Sequence, residues 1–277
     1  MVKVSVKIPC YNLGSYIDEA VDSVLESTFQ DFEIIIVNDG SSDEFTNQKL
    51  STYNKPKTKV ISTQNHGVCA ARNTAIANSC GDYILPLDAD DRIADTYIEN
   101  AVKILEEKSE IAVVYPEVEF FGVEGAWEIE EFSMTKMLQT NLIVVSGMYR
   151  KSDFVKTQGY DVNFKEGFED WDFWLSLLEL GGNVYRIPEK LFYYRLRDIS
   201  RNSSIDKINL SVLRKKMVNK HINLYLKYLP DPISLLEENS GLKEYMKSFI
   251  DIKQSVDYKI GRILLFPFRK LKSLFSR

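Results

Sequence analysis

Short apolar runs alternate with amphipathic helical stretches through the first 115 residues, and this alternation restricts the fold more than any other feature of the chain. Val2, Val4, Val6 and Ile8 alternate with Lys3, Ser5 and Lys7 in a strand that ends at Pro9. Further runs follow at 32–37 (FEIIIV), 60–63, 83–85 and 111–115. Between them, Ile17, Ala20, Val21, Val24 and Leu25, then the alanine-rich stretch 70–77, then Ile98, Ala101, Val102 and Leu105 keep helical spacing. The pattern implies right-handed crossovers and an α/β fold, with a mostly parallel sheet covered by helices on both faces. Ser15 is expected to cap the first helix and Asp95 the one that begins at Tyr97. The lysines of the first run fit a doubly buried strand less well, although lysine stems can cover apolar surface.

Past Pro116 the pattern loosens. Short strands are expected at 118–121 and 127–129 around a hairpin at 122–125, then a strand at 142–149. A helix is expected at 171–180, closed by Gly181 and Gly182, and a strand at 192–196 (FYYRL). From about Asp206 the chain reads as polar helix. The net charge of −5 argues against a nucleic-acid surface. Cys10, Cys69 and Cys80 have no recurring spacing and read as small, reduced core residues. His66 and His221 lie in no Cys/His cluster, which argues against zinc. The N-terminus has no continuous apolar core of the signal-peptide kind, and no run approaches the ~18 apolar residues of a membrane span. A cytoplasmic, reducing location is expected.

Three polar clusters follow three of the apolar runs: 9–12 (PCYN), 38–43 (NDGSSD) and 88–91 (DADD). In a parallel sheet all three open on the carboxyl edge, where open α/β sheets bind ligands. Asp88 and Asp90 are two residues apart at a strand end, and two close carboxylates repel unless a cation or proton sits between them. A hard divalent ion carried on a phosphate suits such a pair. A nucleotide fits the edge, with Tyr11 stacking on a base, Asp39 accepting from a base N–H or ribose hydroxyl, Asp88 facing the ribose and Asp90 holding the metal. Neither GxGxxG after the first strand nor GxxxxGK[ST] is present, which sets aside dinucleotide dehydrogenases and P-loop enzymes.

KIPCYN, IVNDGSSD, NHGVCAARN and LPLDADD, in this order across residues 3–91, resemble the family-two glycosyltransferases with the GT-A fold. GMYRKSDF, GFEDWDFWLSLLELGG and FYYRLRDISR extend the likeness to about residue 201. The resemblance implies a bacterial, inverting enzyme with a nucleotide-diphosphate-sugar donor and a divalent metal, Mn²⁺ or Mg²⁺. It assigns Pro9, Tyr11, Asp39, Arg72, Asp88 and Arg195 to the donor and Asp88 and Asp90 to the metal. Arg72 also fits helix packing, and Asp39 a simple turn acid before Gly40. Inverting transfer needs a base for the acceptor hydroxyl, and a carboxylate beside a bulky aromatic suits that task by partial desolvation. Asp170, ahead of Trp171, is the base by this resemblance, with Glu169 supporting it or touching the acceptor. Both acids also fit the start of a helix. Arg195, Arg197 and Arg201 could neutralise the diphosphate leaving group. A histidine metal ligand, frequent in the family, is absent between residues 67 and 220.

The chain is therefore read as a GT-A domain at 1–204, with a nucleotide-binding half of about 1–115 and an acceptor half of about 116–204, followed by a helical C-terminal extension at 205–277. The expected reaction moves a sugar from a nucleotide diphosphate, UDP or dTDP favoured because a pyrimidine N3–H can donate to Asp39, to a saccharide or lipid-linked saccharide acceptor in cell-surface polysaccharide synthesis. The alternatives are a glycosyl-phosphoryl polyprenol synthase and a sugar-nucleotide-binding protein without catalysis. The last stretch, 259–277 (KIGRILLFPFRKLKSLFSR), has an apolar face and no acid, and suits peripheral contact with the inner face of an anionic membrane.

Overall fold

The computed structural model describes residues 2–126, 129–164, 166–197, 207–255 and 258. In chain order the elements are β1 Val4–Cys10, α1 Ile17–Leu25, β2 Phe32–Asp39, α2 Glu44–Ser51, β3 Thr58–Thr63, α3 Val68–Ala77, β4 Tyr83–Pro86, β5 Arg92–Ile93, α4 Tyr97–Glu107 and β6 Ile111–Gly122. Then come α5 Met134–Met137, β7 Met148–Arg150, α6 Lys151–Lys156, a 3-10 turn at Val162–Phe164, α7 Glu169–Glu179, β8 Asn183–Leu196, α8 Lys207–Lys220, α9 Ile222–Tyr228 and α10 Pro232–Gln254. The strands form one sheet in the order β3-β2-β1-β4-β7-β6-β8-β5. β3, β2, β1 and β4 run parallel, so the loops after β1, β2 and β4 open on one edge. β7 runs antiparallel between β4 and β6, and β6 pairs parallel with β8.

The chain divides into two compact units, Met1–Tyr225 and Leu226–Arg277. The first holds the sheet and its core. The second holds α10, whose N-terminus is capped by the Asp231 carboxylate accepting from the backbone of Ile233 and Ser234. Among the described residues no helix is long and apolar enough to cross a membrane. The basic stretch 259–277 lies outside the described residues.

Several local expectations are corrected. The region past Pro116 is not a pair of short strands around a hairpin: β6 runs through Pro116 and shifts register there and at Glu117, where the missing proline N–H is not needed. Of the strand expected at 142–149, only Met148–Arg150 forms, and the residues before it instead wall a cavity. Residue 129 lies in no strand, and 127 and 128 lie outside the described residues. The first helix is entered from Tyr16 and α4 from Thr96, and neither Ser15 nor Asp95 caps it with its side chain. Cys10 and Cys69 are buried as expected, whereas Cys80 is exposed, and all three are free thiols.

β1 is buried along its whole length, including its polar residues. Ser5 satisfies itself by donating to Glu33 (2.6 Å) and accepting from the Gly81 N–H (2.8 Å). An added Cβ at Gly81 would lie 2.6 Å from the Ser5 nitrogen, so the backbone there needs glycine. Lys7 is 1 % exposed, and its Nζ sits 3.7 Å from the centre of the Tyr160 ring. That Nζ has no hydrogen-bond partner among the described residues. Burial, reinforced by the nearby Arg72 guanidinium, holds the Lys7 ammonium well below its ordinary value of 10.5.

Lys7 therefore costs stability at any pH where the unfolded chain binds a proton that the folded chain resists. That cost is present below 10.5 and fades as the pH rises towards it. Lys7→Met should raise the unfolding free energy at pH 7 by about 1–3 kcal/mol, the usual cost of a buried unsatisfied group. Urea unfolding of both proteins from pH 7 to 10 should show the gap narrowing; a variant less stable than the parent, or a gap that widens with pH, would contradict this account.

Candidate active site

The loops after β1 and β2 are laced together. The Asn12 side chain, on a residue in the left-handed region (φ 56°), accepts from the backbone N–H of Ser42 (2.8 Å) and Asp43 (3.1 Å). Its amide donates to Ser42 Oγ (2.9 Å), and its backbone N–H donates to Ser41 Oγ (3.0 Å). This leaves Tyr11 as a ledge, 45 % exposed. Asp39, at the end of β2, is buried and accepts from the N–H of His66 on one oxygen and of Gly67 on the other, both at 2.9 Å. Those bonds fix the loop leading into α3. Gly40 sits at φ 59° with its would-be Cβ 2.5 Å from the Asn65 nitrogen, so the two loops approach as closely as backbones can.

α3 carries Arg72 inward. Its side chain is 2 % exposed, and its two terminal nitrogens reach Asp88 Oδ1 (2.9 Å) and Glu169 Oε1 (3.1 Å). The two carboxylates hold the guanidinium charged despite its burial. Asp88 follows β4 and keeps a side chain 32 % exposed, whereas that of Glu169, in the first turn of α7, is 3 % exposed. Arg72 thus lies under the surface and bolts the end of β4 to the start of α7.

The next two acids are held by β8. Asp91 is buried and accepts from the Arg195 N–H at 2.8 Å. The Arg195 side chain donates from Nε to the Asp90 carbonyl (2.8 Å) and pairs with Glu19 (2.7 Å). Its guanidinium lies 4.4 Å from the centre of the Phe121 ring. Arg197 Nε meets the Asp90 carboxylate at 2.8 Å. Burial, and then the charge of Asp88, pushes the Asp90 carboxyl above its usual range; burial with Asp90 and Asp88 pushes Asp91 well above. Arg201 lies outside the described residues.

At the other end, Phe168 enters α7 in the left-handed region (φ 68°), an unusual conformation for an aromatic residue. The turn is pinned by Trp171, whose indole N–H donates to the Met137 carbonyl (2.7 Å) and whose ring meets Phe168 edge-on at 5.0 Å. Asp170 Oδ2 accepts from the Asn141 amide at 3.1 Å, and Oδ1 from the Trp171 N–H at 2.8 Å. Behind it, the fully buried Asp172 accepts from Lys220 (2.8 Å) and lies 2.9 Å from His221 Nε2. His221 Nδ1 lies 2.9 Å from Glu179, and Lys220 also reaches Asp161 at 3.0 Å. Sequence reading missed this clamp between α7 and the α8–α9 segment. The signal for it was residues 207–228, which hold six lysines and arginines and no acid, so any counter-charge had to come from elsewhere.

These groups line one cavity of about 930 Å³, near the upper end for ligand pockets. Pro9, Tyr11, Asp39, Arg72, Asp88 and Asp90 line it from the strand-end loops, Arg195 from β8, and Glu169 and Asp170 from α7. Apart from Arg201, which lies outside the described residues, the residues that the sequence singled out for the donor, the metal or the base all line this one space. Gln139, Thr140 and Asn141 wall the side next to Asp170. Among the described residues no group of three or more His, Cys, Asp or Glu is arranged for a metal, and His221 is committed to Asp172 and Glu179.

The family model described as Glycosyl transferase family 2 matches residues 5–169. Hyaluronan synthase of Pasteurella multocida is 28% identical over 95% of this chain, which spans 29% of that protein. Chondroitin synthase of Escherichia coli is 29% identical over 85% of the chain and 35% of its own length. An uncharacterized glycosyltransferase of Haemophilus influenzae is 27% identical over 87% of the chain and 80% of its own. The crystal structure of S. aureus TarS in complex with UDP-GlcNAc matches with a TM-score of 0.63 at 18% identity, over 82% of this chain and 73% of that one.

The Arg72 bridge carries a stability prediction. Arg72→Met removes the buried ion-pair partner of Glu169 and should cost about 3–5 kcal/mol in urea unfolding, the usual range for breaking one side of a buried ion pair. Adding Glu169→Gln should return more than half of that loss. Independent, additive effects of the two substitutions would show that the bridge is not the coupling element.

Proposed function

The chain belongs to glycosyl transferase family 2 and has the GT-A fold, and from that premise we propose that it transfers a sugar, with inversion, from a uridine or thymidine diphosphate sugar to a saccharide hydroxyl in cell-surface polysaccharide synthesis. The observation that carries the reading is the meeting of the Asp88–Asp90 pair with Asp170 in one cavity. Asp39 uses one lone pair on each oxygen for the His66 and Gly67 amides and keeps the others for a pyrimidine N3–H. Tyr11 offers its exposed ring to the base. The UDP-GlcNAc bound to TarS supports a uridine donor for this chain by analogy.

The acid pair fits a hard divalent cation. Its donors are all carboxylate oxygens, and the Asp90 carboxyl is raised by burial and then by the charge of Asp88, which a cation would offset. Mn²⁺ or Mg²⁺ held by Asp88 and Asp90 would supply charge neutralisation for the diphosphate. Arg197, paired with Asp90, is placed to assist. Asp170 takes the proton from the acceptor hydroxyl as its oxygen bonds to the anomeric carbon and the bond to the diphosphate breaks. Asn141 orients the carboxylate, and Trp171 and Phe168 shield it. Arg72 and Glu169 keep Asp88 and Asp170 in register.

Titration calorimetry of UDP and GDP with Mn²⁺, run beside a transfer assay, tests this reading. UDP should bind and GDP should not. Asp90→Ala should weaken UDP and Mn²⁺ binding together. Asp170→Asn should leave UDP binding near wild type and lower transfer by about 10²–10⁴-fold, the usual weight of a general base. Binding of GDP alone would refute the pyrimidine assignment, and near-normal transfer by Asp170→Asn would return that residue to a role at the helix start.

The basic, acid-free stretch 259–277 is proposed to hold the protein on anionic membrane surface. Vesicles containing one-third phosphatidylglycerol should retain the full chain and release a chain ending at residue 258; equal retention of both would reject the anchor.

A further inference from the structure

The wall of the cavity holds a cation that the donor assignment above does not employ. Arg214, exposed on α8, lines the cavity together with Leu210. The same two residues also line a second hollow of about 340 Å³, with Ser211, Lys215, Val218 and Asn219. Arg214 and Leu210 thus wall both hollows, and Arg214 and Lys215 put two positive charges there. On this helix Lys216 donates to the Asn163 carbonyl (3.2 Å) and Lys220 is paired with Asp161 and Asp172. Arg214 and Lys215 have neither an ion-pair nor a hydrogen-bond partner among the described residues. The Arg214 guanidinium presents a planar five-donor fork at the cavity wall, suited to a carboxylate or phosphate group.

The anchoring of α8 indicates which substrate these charges serve. Lys220 and His221 fasten it to α7, the helix that supplies Asp170. The Tyr225 hydroxyl, in the following helix, donates to the Leu138 carbonyl (2.8 Å), next to the 139–141 wall. Among the described residues, Lys216 and Lys220 bond to Asn163, Asp161 and Asp172, none of which belongs to the loops after β1 and β2 where the donor base is assigned. The cations near the acid pair, Arg195 and Arg197, are already engaged there. Building on the glycosyltransferase reading above, we propose that Arg214, backed by Lys215, binds a negatively charged group of the acceptor, so that the acceptor is an anionic saccharide bearing carboxylates or phosphodiesters. The acceptor's reacting hydroxyl then lies at Asp170 while its charged repeat runs out along α8. Arg214 acts in specificity, not in the chemical step.

The test is binding of fluorescently labelled oligomers to the full chain saturated with UDP and Mn²⁺. Three probes are compared: a hyaluronan hexasaccharide for carboxylate, a glycerol-phosphate hexamer for phosphodiester, and cellohexaose as the neutral control. One anionic probe should bind at least tenfold more tightly than cellohexaose, and its identity names the charged group. Arg214→Gln should erase about tenfold of that preference, the scale of one charge-assisted contact. Arg214→Lys should restore part of it, and UDP affinity should not move. Equal binding of the three probes by the wild type, or an unchanged preference in Arg214→Gln, would overturn the proposal while UDP still binds. Loss of UDP binding in Arg214→Gln would overturn it by assigning the residue to the diphosphate. Failure of wild type to bind UDP at all would instead defeat the donor reading.

Discussion

One buried guanidinium sets the distance between the two ends of the site. Arg72 reaches Asp88 with one terminal nitrogen and Glu169 with the other, and so joins the end of β4 to the first turn of α7. A lysine could not do this, because its ammonium is a point charge without a planar fork. The spacing between the acid pair and Asp170 is thus held by a rigid five-donor group inside the protein, not by the conformations of the loops above it. The inverting transfer proposed above, with attacking and leaving oxygens on opposite sides of one carbon, would depend on that spacing.

The cavity gathers an unusual number of acids, and the fold gives each its own compensation. Asp39 takes two backbone amides, Asp91 takes one, and Asp90 takes Arg197. Asp170 accepts from the Asn141 amide and from the Trp171 N–H. Asp172 belongs to a lower layer, where Lys220 and His221 hold α7 from behind.

The parallel half of the sheet was legible because doubly buried strands read as apolar runs and because polar clusters at their ends have few structural reasons to exist. Asp39, Asp88 and Asp90 were singled out that way and Asp170 through the family resemblance, and all four line the cavity. What escaped the sequence was set by tertiary pairing. The passage of β6 through Pro116 depends on β8 as its partner, and a proline at a register shift looks in sequence like a strand end. Arg72 was placed near the donor, but nothing in an alanine-rich helix distinguishes a bridging arginine from a packing one. The Asp172–His221 contact spans residues 49 apart and leaves no periodic trace. Lys7 read as one member of an alternating strand, because sequence cannot tell a solvent face from a second buried one.

The pairing of β8 with β5 sets when the site is completed. β1, β2, β3 and β4 are joined by short crossovers, and all four are present once Pro86 has been synthesised. The acids that follow wait for partners made much later: the Asp91 carboxylate accepts from the Arg195 amide, 104 residues downstream. At about 5–20 residues per second that interval lasts roughly 5–20 s on the ribosome. During it the nascent chain carries a formed strand edge on which Arg72 meets Asp88 while Asp90 and Asp91 wait for Arg197 and Arg195. Long-range closures of this kind are the slow ones in folding, so the loop bearing the acid pair joins the native structure among the last of its parts. A half-made chain can resemble the donor-binding sheet without yet holding its acids in place.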